Sequence, residues 1–265
     1  MRTLFILILL LTSAIAQATE ECPRIVSQSP YITHTLEWMG LKQCIVGTSR
    51  YEDLGLPQTG GVLDPDAEAI ALLEPAVILS SDWVTAERAQ QINPAGSRIY
   101  RLHGFQSMQQ IEDNIRTIAT AVGMDDGEAL AAKFHRQWHD SIKEIKANNK
   151  RVLLISSCSG LPYSFGKATW LYDLFTQAGF EVVETHDNIR HIRPGQELSD
   201  LSEMIDQLRP ELVFVFERQA AQQCQLITPR IPVRIVTLDG EKLLQPAPVL
   251  LQGLDEVIRK RPIWN

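Results

Sequence analysis

The 265-residue chain is poor in the features that usually name a function. It holds four cysteines, too few for a disulfide-scaffolded mini-protein. No C-x-x-C pair is present, nor a G-x-S-x-G elbow or an H-E-x-x-H helix, so the common signatures of structural zinc, of an α/β-hydrolase and of a zincin are missing. Basic residues are outnumbered, with a formal net charge of -7 and a pI of about 5.4. Non-specific nucleic-acid binding needs the opposite balance, because phosphates must be neutralised. After the N-terminus no apolar run approaches the roughly 20 residues of a membrane span. What remains is an ordinary globular composition, 45% hydrophobic and 22% charged, able to bury a core in one large domain or two small ones.

The first residues break that pattern. Arg2 precedes an apolar run, Leu4 to Leu11, and then the small-residue exits Ala14-Ile15-Ala16 and Ala16-Gln17-Ala18. One positive charge, a short apolar stretch and an A-x-A exit predict a cleaved secretory leader over residues 1–18. Cys22 follows Thr19-Glu20-Glu21 rather than the cleavage site itself, so a soluble periplasmic protein is expected rather than a lipid-anchored one. Loss of Arg2 takes the charge from -7 to -8. Cys22, Cys44, Cys158 and Cys224 then enter an oxidising compartment, where three pairings are open to them. The favoured pairing is Cys22–Cys44, at the starts of two adjacent strands, with Cys158–Cys224 beyond strand ends in the second half of the chain.

Short apolar runs alternate with amphipathic segments. Strands are expected at 24–27, 44–47, 76–79 and 98–101, with helices at 33–40, 67–73, 87–92 and 108–122, the last stopped near Gly123. A longer helix follows from Asp125 to about Ala147, its apolar stripe formed by Leu130, Phe134, Trp138, Ile142 and Ile145. The alternation then restarts, with strands at 151–156, 180–183, 212–216 and 233–237 and helices at 169–178, 202–208 and 248–259. The expected fold is α/β, with two Rossmann-like lobes of parallel sheet joined by a single long helix. The expected boundaries are an N-terminal lobe at 19–124, a linker helix at 125–148 and a C-terminal lobe at 149–265. The lobes echo one another: Glu68-x-Ile70-x-x-Leu73-x-Pro75-x-Val77 in the first, Glu203-x-Ile205-x-x-Leu208-x-Pro210-x-Leu212 in the second.

Ser29-Pro30 after the first strand, Gly47, Arg50-Tyr51, Gly60-Gly61, Asp64-Pro65-Asp66-x-Glu68 and Glu74-Pro75, followed much later by Leu238-Asp239-Gly240, form a pattern. It resembles the substrate-binding proteins of ABC importers for vitamin B12, iron–siderophores and heme, over essentially the whole chain after the leader. The resemblance implies a ligand in the cleft between two lobes, little closure on binding because the connecting helix is rigid, and one surface glutamate per lobe, Glu68 and Glu203, docking on arginines of a membrane permease. Each glutamate alone is also explained as an acid favouring a helix N-terminus.

Loops after the carboxyl ends of parallel strands collect ligands. They nominate Tyr31, Arg50, Tyr51, Trp83 and Phe105 in the first lobe, and Tyr163, Phe165, Trp170, Glu217, Arg218 and Asp239 in the second. Aromatic residues suit a large flat chelate. No resident cofactor and no protein metal site are expected. The cargo is a metal chelate, a corrinoid before a ferric siderophore, carried by a monomer to an ABC permease. Three alternatives are a heme receptor, a free metal-ion receptor of the same architecture and a periplasmic hydrolase. Gly160 and Gly166-Lys167-Ala168-Thr169 miss the phosphate-binding loop, having five residues between the glycines and Ala168 at the hydroxyl position. His135 and His139 stand four apart on the long helix, beside Trp138 and away from the cleft, as a surface pair.

Overall fold

A computed structural model describes residues 22–156, 162–193, 200–218 and 232–264. The leader, Cys158, Cys224 and Gly160 lie outside these residues. The first lobe is built from β1 (Ile25–Ser27), α1 (Pro30–Trp38), β2 (Ile45–Thr48), α2 (Ala67–Leu72), β3 (Val77–Ser81), α3 (Ala86–Gln91), β4 (Arg98–Leu102) and α4 (Met108–Val122). Its strands pair in parallel in the order β2-β1-β3-β4. Gly123 (φ 81°) ends α4 in the left-handed conformation that a Cβ would penalise.

The linking helix, α5, spans Gly127–Ile145. At 1.5 Å per residue it is about 28 Å long, shorter than the 125–147 span expected. Asp126 precedes its first residue without a side-chain capping bond, and Lys146 leaves the helix in the left-handed region (φ 52°) before the segment reaches Asn148 and Asn149. Its buried stripe is Ala131, Phe134, Trp138, Ile142 and Ile145, spaced by three and four.

The second lobe comprises β5 (Arg151–Ser156), β6 (Tyr163–Ser164), α6 (Trp170–Gln177), β7 (Glu181–Val182), β8 (Arg190–His191), α7 (Leu201–Leu208), β9 (Leu212–Glu217), β10 (Arg234–Asp239), α8 (Gly240–Leu243) and α9 (Leu250–Lys260). Strands β10, β9, β5 and β7 run parallel, as expected. β6 does not: it returns antiparallel along Ile155 and Ser156, and β8, antiparallel to β6, runs again in the direction of β5. The reason is chain length, since residues 157–162 are too few for a parallel crossover.

In both sheets alternate residues face opposite sides. Ile25, Val77 and Leu79 in the first sheet, and Val152, Leu154, Leu212, Phe214 and Phe216 in the second, join one continuous core with α4, α5 and α9. The residues between them, Val26 and Ile78 in one lobe and Leu153, Ile155, Val213 and Val215 in the other, form separate outer clusters under α2 and α7. Helix α5 packs on α4 from one lobe and on α9 from the other.

A disulfide joins Cys22 to Cys44, Cα–Cα 5.7 Å, tying the approach to β1 to the start of β2, where Ile25 pairs with Ile45. The bridge closes a loop of sequence separation 22, for which chain entropy gives about 3 kcal/mol. Replacing Cys22 and Cys44 by serine should lower unfolding stability by that amount in a urea titration. A change below about 1 kcal/mol would contradict stabilisation through restriction of the unfolded chain.

Candidate functional site

Ligands of open α/β sheets gather where neighbouring strands send their connections to opposite sides. In the first sheet that point lies between β1, which leads to β2, and β3 on its other flank. In the second it lies between β5 and β9. A cavity of about 450 Å³, within the range of small-molecule sites, opens there between the lobes.

Four groups of residues line it. Pro30, Thr33, His34 and Glu37 come from one face of α1, at helical spacing. Tyr51, Glu52, Asp53 and Leu54 follow β2. Trp83 follows β3, and Phe105 follows β4. From the second lobe come Arg218 after β9 and Glu241, Leu244 and Gln245 at and after α8.

The wall is aromatic. Trp83 is 53% exposed and stacks on Phe105 at 4.5 Å between ring centroids. Phe105 meets Tyr31 edge-on at 5.2 Å and, across the lobes, Trp170 at 5.4 Å. Trp170 in turn meets Phe165, which meets Phe216. This column runs from the open cavity down into the shared core. Tyr51 stands apart on the rim, 64% exposed.

The nominated residues therefore separate. Tyr51, Trp83, Phe105 and Arg218 line the cavity. Tyr31, Phe165 and Trp170 do not; they are buried in the column beneath it, a correction to their nomination. Tyr31 donates to the Leu102 carbonyl at 2.9 Å, and burial drives its phenol well above the ordinary tyrosine range. Trp170 donates Nε1–H to the Leu243 carbonyl at 3.1 Å. Arg50 is turned to Asp64, Nη2 to Oδ2 2.6 Å. Asp239 caps α8, accepting from the Glu241 N–H, and pairs with Lys242. It holds the short helix that presents Glu241 rather than lining the cavity itself. Glu217 ends β9 beside Arg218, and Tyr163 sits on β6 between Phe165 and His191.

The α1 face and Glu52 escaped the sequence analysis. The signal for α1 was present: Pro after Ser29 suits the first helical position, so the helix begins at Pro30 rather than Thr33. Starting it three residues early puts Thr33, His34 and Glu37 on one stripe. Burial pulls the His34 imidazole below its ordinary value, opposed by Glu37 and Glu241. Glu37 itself pairs with Lys42 at 2.7 Å. Glu52 turns Oε2 to the N–H and hydroxyl of Ser49, while Oε1 is buried without a partner among the described residues.

The Gly166-Lys167-Ala168-Thr169 segment is closed to phosphate. The Lys167 and Ala168 N–H groups bond the carbonyls of His186 and Asp187, and Thr169 caps α6. A Cβ on Gly166 would stand 2.3 Å from the carbonyl oxygens of His186 and Asn188, so the glycine serves that backbone approach. Arg190, at the start of β8, is committed to the buried Glu184 at 3.0 Å. Among the described residues no three His, Cys, Asp or Glu side chains group to hold a metal ion, and no helix is long and apolar enough to cross a membrane.

No family model and no curated protein matches the chain. Solved structures do. The periplasmic heme-binding protein RhuT of Roseiflexus, in apo form, superposes with a TM-score of 0.71 at 21% identity, over 90% of this chain and 97% of that one. A periplasmic heme-binding protein of Pseudomonas aeruginosa gives 0.71 at 21%, over 89% and 91%. The periplasmic vitamin B12-binding protein BtuF of Vibrio cholerae gives 0.70 at 18%, over 92% and 98%. The chain has the fold of these two-lobed periplasmic binding proteins.

In that fold helices run back against their strands, so the starts of α2 and α7 lie at the cleft side of each lobe. Glu68 is exposed at the second position of α2 behind its cap Asp66; Glu203 is in the first turn of α7 behind Asp200.

Burial raises the Glu52 carboxyl above its ordinary value, opposed by the hydrogen bonds from Ser49 and reinforced by Glu37. The folded chain therefore keeps this proton to higher pH than the unfolded chain. The cost of ionising Glu52 is absent below the ordinary glutamate pKa and complete above the raised one, so it grows as pH rises. Glu52→Gln removes the cost. Its Tm relative to the parent should climb as pH rises above the ordinary glutamate pKa of about 4.3; a difference that stays flat would contradict the burial of this carboxyl.

Proposed function

We propose that the protein is the periplasmic solute-binding component of an ABC importer and that it carries a flat metal chelate of the corrinoid class. The observation that carries this is an aromatic wall, Trp83 on Phe105, beneath a rim without a surplus of positive charge. Stacked aromatic rings offer a rigid apolar face to a macrocycle at low entropic cost. Arg218 and a His34 held toward neutrality stand against the carboxyls of Glu37, Asp53 and Glu241. A rim of that sign disfavours an anionic guest such as a propionate-bearing porphyrin or a catecholate siderophore. It tolerates a corrin, whose metal centre is cationic and whose side chains are amides. The raised Glu52 carboxyl, with Oε1 unpartnered, is suited to meet an amide. The periplasmic proteins of like fold support the compartment and the non-enzymatic role.

Heme is the second candidate, favoured by the heme-binding proteins of like fold and by the phenol of Tyr51, an oxygen donor able to ligate ferric iron. Calorimetric titration separates the two. Cobinamide or cobalamin should bind, and Trp83→Ala should weaken binding about tenfold, equivalent to ~1.4 kcal/mol. Heme binding without corrinoid binding would reject the corrinoid and leave the solute-receptor role standing. Hydrolysis of an ester or phosphate lost with a cleft substitution would reject both.

Delivery to the permease is assigned to Glu68 and Glu203, one carboxylate per lobe, which would set register on a basic surface. Exposed pairs of this kind contribute only about 0–1 kcal/mol each, so one substitution should have a mild effect. Substituting both by alanine should abolish import of the bound solute in cells while leaving its affinity for the purified protein unchanged. Loss of affinity instead would remove the docking role.

A further inference from the structure

Away from the cleft, α5 carries His135 and His139 one helical turn apart, with ring centroids 4.1 Å from each other. Behind them lies Glu112 of α4, a carboxyl only 4% exposed. Its Oε1 is 2.7 Å from His135 Nδ1 and also accepts the Trp138 Nε1–H at 3.1 Å. With Nδ1 turned to that carboxylate, Nε2 is the ring nitrogen of His135 left to meet a ligand. About half of the His135 side chain is still exposed, and the edge opposite Glu112 is the one carrying Nε2. His139 lies against the Trp138 ring at 3.9 Å, which limits its rotation. A shallow depression of about 280 Å³ opens beside His139.

We propose that His135 and His139 form a surface site for a divalent transition metal, copper(II) foremost, with Glu112 as the carboxylate orienting His135. Imidazoles on one helical face are reached by a single ion at metal–nitrogen distances of about 2.0–2.1 Å after a small ring rotation. The carboxylate–histidine arrangement is the usual support behind a metal-ligating imidazole, where it fixes the tautomer and raises ligand basicity. Two imidazoles favour copper(II) over nickel(II) and zinc by the general order of affinities. No third protein ligand joins them among the described residues, and Asp140 is held by Lys143 at 2.8 Å. Water would complete the shell, which makes the site exchangeable. It shares no residue with the cleft and does not rest on the solute proposed above.

The untagged protein is titrated with copper(II), nickel(II) and zinc chloride by calorimetry, with tryptophan fluorescence recorded in parallel because Trp138 adjoins the site. One copper(II) should bind at micromolar concentration, more tightly than zinc, quench fluorescence and raise the Tm. His139→Ala should weaken copper binding at least tenfold and abolish both the quenching and the Tm shift. Glu112→Gln keeps an acceptor for Trp138 and should weaken binding about tenfold as the orienting charge is lost. His135→Ala is avoided, because it leaves Glu112 buried without its partner. Copper affinity unchanged in His139→Ala, or no saturable binding to the parent protein, would overturn the proposal.

Discussion

The structure depends on a shared core. Two sheets that never pair with each other send their inner faces, Ile25, Val77 and Leu79 from one and Leu154, Phe214 and Phe216 from the other, into one continuous apolar body with α4, α5 and α9. A fully buried side chain of this size is worth about 1.5–3 kcal/mol. Phe134 and Trp138 on α5 are buried in that body. Pulling the lobes apart would expose it. A flexible-strand hinge swings because few apolar contacts cross it; here the connection is itself core, and only small rotations leave the burial intact.

The same constraint shapes the cleft. Its floor is the contact of Phe105 with Trp170 between lobes, reinforced by the Trp170 N–H to Phe105 carbonyl bond and by Asp173 accepting the Met108 N–H at 2.9 Å. A floor fixed by packing can be preorganised, and preorganisation lowers the cost of binding. Adaptation is left to the exposed side chains above it, Tyr51 and Trp83, and to the loops that carry them. Tyr31, Phe165 and Trp170 therefore belong to the scaffold of the site: they hold Phe105 where Trp83 can stack on it.

Much of the fold was legible in the sequence because periodicity survives burial. β5 spans the expected residues, and each expected strand from 24–27 onward has its counterpart. What failed was what periodicity cannot carry. α5 ends at Ile145 because Lys146 takes a left-handed conformation that no glycine announces. β6 and β8 are two-residue strands, too short for any pattern. The rule that ligands gather at strand ends found Tyr51, Trp83, Phe105 and Arg218, yet it could not tell a ring that faces the cavity from one that props it. That distinction depends on packing across lobes, between residues as distant as Phe105 and Trp170. The face of α1 was lost to one boundary, since three residues of helix decide which side chains share a stripe.

The internal echo is sharper in the backbone than in the sequence. Glu74 (φ 45°) and Arg209 (φ 47°) both take the left-handed conformation immediately before Pro75 and Pro210, and both prolines lead into a buried strand, β3 or β9. A left-handed exit followed by proline ends a helix and aims the chain back into the sheet, so this half of the echo is explained by the fold. The glutamates are not part of it. Glu68 is the second residue of its helix and Glu203 the third, though each lies seven positions before its proline. Aspartates already cap both helices, Asp66 accepting two backbone N–H groups and Asp200 one. Helix capping therefore does not require a glutamate at either place, and a helix-dipole role would track the helix start rather than the proline. Position relative to the sheet is what the two glutamates share, and that is the property a rigid partner spanning both lobes would measure.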